Sequence, residues 1–202
     1  MPFLRTRAVN LTTASSPGTW ASATHVCIQT RTVRKGSPDM STSNQQGISY
    51  LPPEGGETLW VLGDQVTFKT DGERDGLTLF VSTIPPGGGP PPHVHYAQEE
   101  AHYVLEGTFS FLNGDEWIEA QAGSFLWIPR GVRHTFRNTG PETGRLFSTN
   151  TLPGAHERWF RHVGVPMTDR ASFQPPQGSP DREEVLASAA REDIHLELSD
   201  HA

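Results

Sequence analysis

Short runs of apolar and polar residues, separated by Gly, Pro and Asn, fill the chain from about Glu57 onward. Each run is too short for a helix of ordinary length and is rich in β-branched or aromatic residues, which favours strands. The predicted strands are Thr58–Leu62, Val66–Thr70, Leu77–Ile84, His102–Leu112, Glu116–Ala120, Ser124–Ile128, His134–Asn138 and Arg145–Thr151. Many short strands at regular spacing predict an all-β domain, either a sandwich or a barrel.

Turn and helix signals complete the pattern. The dipeptide Asn113-Gly114 predicts a hairpin with a two-residue type I′ turn. Residues 154–163 could form a short helix. A second helix is predicted after residue 178, with Ser179 as the N-cap, Pro180 at the first helical position and acidic residues in the first turn. We therefore predict a β-barrel over residues 46–165 and a C-terminal loop and helix, residues 166–202, that packs on it.

The N-terminal segment, residues 1–45, has a different composition. Residues 1–38 contain five basic residues and no acidic residue, and they show no apolar period. Three interpretations stay open: a disordered tail, an organellar transit peptide, and a reading frame that extends upstream of a natural start at Met40. All three place this segment outside the fold.

Composition narrows the function classes. The 202 residues carry a formal net charge of −7, so binding to nucleic acid, which relies on clustered Lys and Arg, is not expected. The chain has one cysteine, Cys27, which excludes an intrachain disulfide and fits a reducing compartment. No apolar run approaches the roughly 20 residues that span a bilayer. These features predict a cytoplasmic protein that is not bound to a membrane.

Four residues in two stretches have the chemistry of a metal site. His93 and His95 are two apart, so in an extended strand both imidazoles lie on one face. Glu100 follows after a short turn and adds a carboxylate, and His134 supplies a third imidazole. Three nitrogens and one oxygen suit a divalent transition metal, and Ni, Mn, Co, Fe, Cu and Zn all remain possible.

Both stretches resemble the two motifs of the cupin superfamily. Residues 87–107 match G-x5-H-x-H-x4-E-x6-G at every fixed position, and residues 123–138 match G-x5-P-x-G-x2-H-x3-N. The resemblance implies a double-stranded β-helix, or jelly-roll barrel, in which His93, His95, Glu100 and His134 bind one metal ion. It also makes a homodimer plausible, because cupins often pair through outer sheet faces.

Three other residues, Glu99, His102 and Phe136, are expected near this site. Glu99 competes with Glu100 as the ligand, but the six-residue gap to Gly107 favours Glu100. Alternation places His102 on the same face as Glu100, where it is either a hydrogen-bond partner of the ligands or an ordinary buried histidine. Phe136 should share the face of His134 and either line the cavity or pack in the core.

A closer resemblance is to bacterial single-domain proteins of the quercetinase-like group. Residues 61–64, 84–93, 100–107 and 152–166 carry it. It implies a dioxygenase that opens the ring of a flavonol or a similar enolisable aromatic, with dioxygen as the second substrate and Glu100 as general base. Two alternatives remain: a metal-dependent isomerase, cyclase or decarboxylase of a secondary metabolite, and a small-molecule-binding cupin without catalysis.

Overall fold

Antiparallel strands are the main secondary structure of the computed structural model, which describes residues 48–167 and 181–197. The strands in chain order are β1 (Thr58–Val61), β2 (Asp64–Phe68), β3 (Thr78–Ile84), β4 (His93–Val94), β5 (Glu100–Glu106), β6 (Thr108–Asn113), β7 (Glu116–Gln121), β8 (Phe125–Ile128), β9 (His134–Asn138), β10 (Gly144–Asn150), β11 (Val165–Pro166) and β12 (His195–Leu196). The helices are α1 (Gly72–Asp75), α2 (Ala155–Val163) and α3 (Arg182–Arg191). The predicted N-terminal segment, residues 1–45, lies outside the described residues.

The strands form two sheets. One has the order β11-β1-β2-β3-β10-β5-β8 and the other β12-β4-β9-β6-β7. Long-range pairs such as β10 with β3 and β6 with β9 join strands that are distant in sequence, which is typical of a jelly roll. The all-β jelly-roll prediction is confirmed.

One predicted strand, residues 102–112, is in fact two strands in different sheets. β5 ends at Glu106, and β6 begins at Thr108 in the other sheet. The chain changes sheet at Gly107, whose φ of 90° lies in a region that L-residues rarely adopt. A Cβ there would also lie 3.0 Å from the Cα of Gly144. The glycine, which the apolar run concealed, therefore separates the two walls of the barrel.

The predicted hairpin forms one residue later than expected. Asn113 pairs with Glu116, so the two central turn residues are Gly114 and Asp115 and not Asn113 and Gly114. Gly114 has a φ of 64°, whereas Asp115 has no positive φ. A positive φ only at the first central position is the pattern of a type II′ turn, so the type I′ prediction is wrong.

Apolar side chains form two core clusters. The first joins β1, β2 and β3 to both longer helices, and its members are Leu59, Val61, Val66, Phe68, Phe80, Trp159, Phe160, Val185, Ala189 and Ile194. The second consists only of strand residues, from β3, β5, β6, β7 and β10, and its members are Ile84, Val104, Phe109, Phe111, Ala120 and Leu146. Val185 and Ala189 of the C-terminal helix thus pack in the same apolar cluster as residues of β1, β2 and β3.

A buried carboxylate fixes α2 against the strands. Glu157 is 1% exposed, and it accepts hydrogen bonds from the Gly72 N–H at 3.0 Å and the Thr78 hydroxyl at 2.7 Å. The predicted helix over residues 154–163 is confirmed as Ala155–Val163. Because a buried charge is tolerated only when it is paired or hydrogen-bonded, these contacts hold α2 in one position.

The N-cap of α3 differs from the prediction. Asp181 is the N-cap, and its carboxylate accepts a hydrogen bond from the Glu184 N–H at 2.9 Å. Ser179 was the predicted cap, and that prediction is wrong because the helix begins at Arg182; Ser179 and Pro180 lie outside the described residues. Within the described ranges, none of the helices has the length and apolar character needed to cross a membrane.

Candidate metal centre

Four buried side chains converge between the two sheets. His93 comes from β4, His95 from the loop after it, Glu100 from the start of β5 and His134 from the start of β9. His93 and His134 are direct partners in the β4–β9 pair. The potential ligand atoms of the four residues all lie within 4.8 Å of one another. The structure thus brings together the complete set predicted from the sequence.

The second nitrogen of each imidazole is fixed by a backbone carbonyl. Nδ1 of His93 donates to Pro91 O at 2.9 Å, and Nδ1 of His134 donates to Val132 O at 2.9 Å. Nδ1 of His95 donates to Asp193 O at 2.7 Å. These bonds place a proton on Nδ1, so Nε2, which faces the centre, is the nitrogen that each ring would offer to a metal ion. Such outer contacts are typical of metal-binding histidines because they set the tautomer and the ring orientation.

The centre favours an ionised carboxylate. Burial raises the pKa of Glu100, but the imidazoles around it, His102 first, outweigh burial and hold the pKa well below its usual range. Burial, together with His134 and His95, holds the pKa of His93 well below its usual range. The cluster therefore offers a carboxylate and a neutral imidazole, the protonation states that bind metals.

The geometry fits a cation at this point. Oε2 of Glu100 lies 3.1 Å from Nε2 of His134 and 3.7 Å from Nε2 of His95. Nε2 of His95 is buried and, within the described residues, has no hydrogen-bond partner. Lone pairs that face a carboxylate repel it unless a positive charge lies between them. The residues present fit a divalent transition ion with three nitrogens and one oxygen.

The neighbouring acid points elsewhere. Glu99 has a partly exposed side chain, and its Oε1 lies 3.3 Å from Nη2 of Arg130. Its backbone N–H donates to the hydroxyl of Thr151 at 2.8 Å. The side chain of Glu100 is the one that turns inward, as alternation along an extended strand requires.

His102 lies directly beside the four residues. It is 2% exposed, its Nδ1 is 2.9 Å from Oγ of Ser148, and its Nε2 is 3.6 Å from Oε2 of Glu100. Its ring packs edge-on against Phe136, with ring centroids 5.4 Å apart. His102 thus contacts the carboxylate, and Phe136 lines the adjoining cavity.

A cavity of about 70 Å³ adjoins the cluster. Its lining residues are Val61, Leu62, Asp64, Val66, Phe80, Ser82, Pro90, His93, Glu100, His102, Phe136, Ser148, His156, Trp159, Phe160, Ile194 and Leu196. The lining is mostly aromatic and aliphatic, and in the part of the chain that the structure describes it includes neither Lys nor Arg. The cavity therefore suits an apolar ring better than a phosphate or a carboxylate.

Three residues of this region, His156, Asp64 and Asp193, were not predicted from the sequence. His156 stacks on Phe80 at a centroid distance of 5.9 Å, and its ring lies 5.4 Å from that of His95. Burial lowers the pKa of His156 to about 3, so its imidazole is neutral. The helical spacing of His156, Trp159 and Phe160 could have indicated a shared face. Asp64 and Asp193 gave no local signal.

Residues 80–150 match the cupin domain family. Protein SchB from Streptomyces halstedii is 37% identical over 107 residues, which is 53% of this chain and 76% of SchB. With both motifs on neighbouring strands and four ligand-type side chains converging between two sheets, the chain belongs to the cupin superfamily.

Other comparisons are more distant. Quercetin 2,3-dioxygenase from Bacillus subtilis is 27% identical over 122 residues, which is 59% of this chain and 36% of that enzyme. The chain therefore spans about a third of that relative. The solved structure of the polyketide cyclase RemF from Streptomyces resistomycificus aligns with a TM-score of 0.41 and 24% identity, over 57% of this chain and 80% of RemF.

Proposed function

We propose that this cupin is a metal-dependent dioxygenase that cleaves the ring of a flavonol or a similar enolisable aromatic. The observation that carries the proposal is the apolar, ring-lined cavity that leads directly onto the cluster of three imidazoles and one carboxylate. The distant similarity to a quercetin 2,3-dioxygenase agrees with it. His93, His95, Glu100 and His134 would hold the ion.

The lining supports an aromatic substrate. Phe80, Phe136 and Trp159 offer ring faces and edges, which favour stacked or edge-on contact with another ring. At about 70 Å³, the cavity is much smaller than the roughly 300–1,000 Å³ of sites that enclose a whole drug-sized ligand. We infer that the hydroxyl-bearing ring enters the cavity and that the rest of a larger substrate lies at the cavity mouth.

Glu100 is the proposed proton acceptor. A bound divalent ion would lower the pKa of a substrate hydroxyl and polarise its oxygen. That effect matters here because the low pKa of Glu100 makes this carboxylate a weak base toward a free hydroxyl. The imidazole of His102 lies beside this carboxylate, with its Nε2 3.6 Å from Oε2. Apolar walls keep bulk water from the deprotonated substrate.

The test is oxygen uptake. Purified protein is reconstituted separately with Mn, Co, Ni and Fe(II) and mixed with quercetin, and both dioxygen and flavonol absorbance are followed. We expect coupled loss of both, abolished in Glu100→Gln. Glu99→Gln is the matched control, because Glu99 is adjacent and faces Arg130. His134→Ala should bind far less metal, and stoichiometric metal in that variant would disprove the ligand assignment.

A non-oxidative reaction is the second candidate, favoured by one observation. Nε2 of His102 is buried without a hydrogen-bond partner among the described residues, beside the Glu100 carboxylate. Such a pair can move a proton between two positions of a substrate, as isomerases and cyclases require. Turnover under strict exclusion of dioxygen would support this candidate and reject the dioxygenase. Tight binding of an aromatic ligand without turnover in any condition would reject both enzymes in favour of a binding protein.

We also propose a homodimer through the outer face of β5 and β8. Tyr103 and Phe125 are cross-strand partners, Trp127 is two residues further along β8, and all three side chains are more than 40% exposed. β8 is also an edge strand, and edge strands gain from a partner. A second copy would bury these rings by two-fold symmetry.

The solution mass tests the dimer. We expect sedimentation to give twice the chain mass, and Phe125→Ser with Trp127→Ser to give a monomer. Trp117→Ser is the control, since Trp117 is equally exposed but lies on β7 of the other sheet. A monomeric wild-type protein at micromolar concentration would contradict the proposal.

A further inference from the structure

The end of the described chain runs along the metal ligands. β12 pairs with β4, so Leu196 lies opposite His93 and His195 opposite Val94. The Glu197 N–H donates to Pro92 O at 2.7 Å. Leu196 also lines the cavity. The C-terminal segment is therefore a wall of the site as well as a support for the barrel.

Asp193, just before β12, contacts the metal-ligand loop in two ways. Its carboxylate accepts hydrogen bonds from three consecutive backbone N–H groups, those of Tyr96 at 3.0 Å, Ala97 at 2.7 Å and Gln98 at 3.1 Å. Its own backbone carbonyl accepts the Nδ1–H of His95 at 2.7 Å. One residue thus binds both a ligand and the loop that connects this ligand to Glu100.

The backbone of Asp193 is held in an uncommon conformation. Its φ is 61°, in the left-handed region, which Asp tolerates better than most residues. This conformation directs the carbonyl and the carboxylate toward the same loop. The next residue, Ile194, is 1% exposed in the apolar core. Asp193 is therefore fixed by its hydrogen bonds to the loop and by the packing of Ile194.

We propose that Asp193 is a positioning residue for the metal ligand His95. Its carboxylate fixes residues 96–98, and its carbonyl then sets the Nδ1–H tautomer and directs Nε2 of His95 toward the centre. The order of the metal site therefore depends on a segment that is 98 positions away in the sequence. The part of this inference that concerns metal rests on the proposed function, whereas the part that concerns the imidazole does not.

The test compares three variants. Asp193→Gly removes the carboxylate without backbone strain, because Gly adopts positive φ freely. Asp193→Asn tolerates the same conformation and keeps one side-chain oxygen as an acceptor. Asp181→Ala is the matched control, because it removes the N-cap of α3 in the same segment without touching His95.

The first measurement needs no metal. In ¹⁵N-histidine spectra of the metal-free protein, we expect a slowly exchanging Nδ1–H signal of His95 in the wild type and in Asp181→Ala. It should be lost in Asp193→Gly and partly retained in Asp193→Asn. An unchanged signal in Asp193→Gly, or equal loss in Asp181→Ala, would overturn the proposal whether or not the protein binds metal.

The second measurement is metal release to a chelator from the Co(II)-loaded protein. Outer contacts of metal-binding histidines are commonly worth about 10- to 100-fold in affinity. We expect release to be at least about tenfold faster in Asp193→Gly, intermediate in Asp193→Asn and unchanged in Asp181→Ala. Wild-type protein that binds none of Co(II), Ni(II), Mn(II), Fe(II), Cu(II) and Zn(II) would refute the proposed metal centre and leave the imidazole result standing. Equal release rates in all proteins would overturn the positioning role.

Discussion

Asp64 should make the stability of this protein fall as the pH rises. Asp64 is the first residue of β2 and lines the cavity. Its Oδ1 is buried and has no hydrogen-bond partner among the described residues. Burial raises the pKa of Asp64 from 3.8 to about 7. Between pH 3.8 and about pH 7, the folded protein therefore keeps a proton on Asp64 that the unfolded chain releases.

The size of the effect follows from linkage. A shift from 3.8 to about 7 is about 3 pKa units, and each unit corresponds to about 1.36 kcal/mol. Because the folded state binds the extra proton, its advantage is present below pH 4 and is lost as the pH rises through about 7. We expect the free energy of unfolding to decrease by about 4 kcal/mol across this window through Asp64 alone. Asp64→Asn, which cannot ionise, should lack this contribution.

Urea unfolding of the wild type and of Asp64→Asn, with a chelator present, isolates the contribution of Asp64 to the free energy of unfolding. The difference in unfolding free energy between the two proteins is measured at pH 4 and again at pH 8. Other titrating groups cancel in this comparison, since both proteins contain them. We expect the difference to change by about 4 kcal/mol in favour of Asp64→Asn at pH 8. A change below about 1 kcal/mol would show that Asp64 is solvated or paired, and the reasoning from burial would be refuted.

Three further predictions concern stability. Glu157→Ala removes the acceptor of the Gly72 N–H and the Thr78 hydroxyl and should lower the free energy of unfolding in urea by about 3 kcal/mol. The control Glu183→Ala, at an exposed position of α3, should change it by less than about 0.5 kcal/mol. Burial lowers the pKa of His156 to about 3, so its contribution to the free energy of unfolding is present above pH 6.5 and is lost on acidification. Between pH 7 and pH 4, His156→Gln should therefore lose about 3 kcal/mol less stability than the wild type. Equal acid sensitivity of the two proteins would contradict this. Asn138→Ala should lower the free energy of unfolding by about 2–4 kcal/mol, because the Asn138 amide donates to Ile84 O and Glu142 O and its oxygen accepts from the Gly140 N–H. Thermal melts test this against the exposed control Asn113→Ala, for which we expect a smaller loss of stability.

The sequence predicted the longer strands and the ligand cluster because both depend on local patterns, whereas the two-residue strands β4, β11 and β12 were not predicted. His93 and His95 share a face by alternation, and the motif spacing selects Glu100 over its neighbour Glu99. The jelly roll then brings His134 opposite His93, as their register shows. Spacing and periodicity along the chain are therefore sufficient to predict the individual ligand residues.

The rest of the site could not be predicted for a physical reason. The contacts of His156 with Phe80 and of Asp193 with His95 join residues that no local pattern links. The break at Gly107 was hidden because the apolar run continues on both sides of it. Its effect comes from backbone conformation, which residue type alone indicates only weakly. The cavity therefore emerges only from the packed structure.

The orientation of the three imidazoles has a consequence for how such a site can diverge. Each Nδ1–H is held by a main-chain oxygen, of Pro91, Val132 or Asp193, and not by a side chain. Main-chain acceptors persist when side chains change, provided that the backbone keeps its path. Substitutions along the cavity wall can therefore alter the ring that binds while the ligands keep their aim. This separation lets one scaffold keep its inorganic centre while its organic substrate changes.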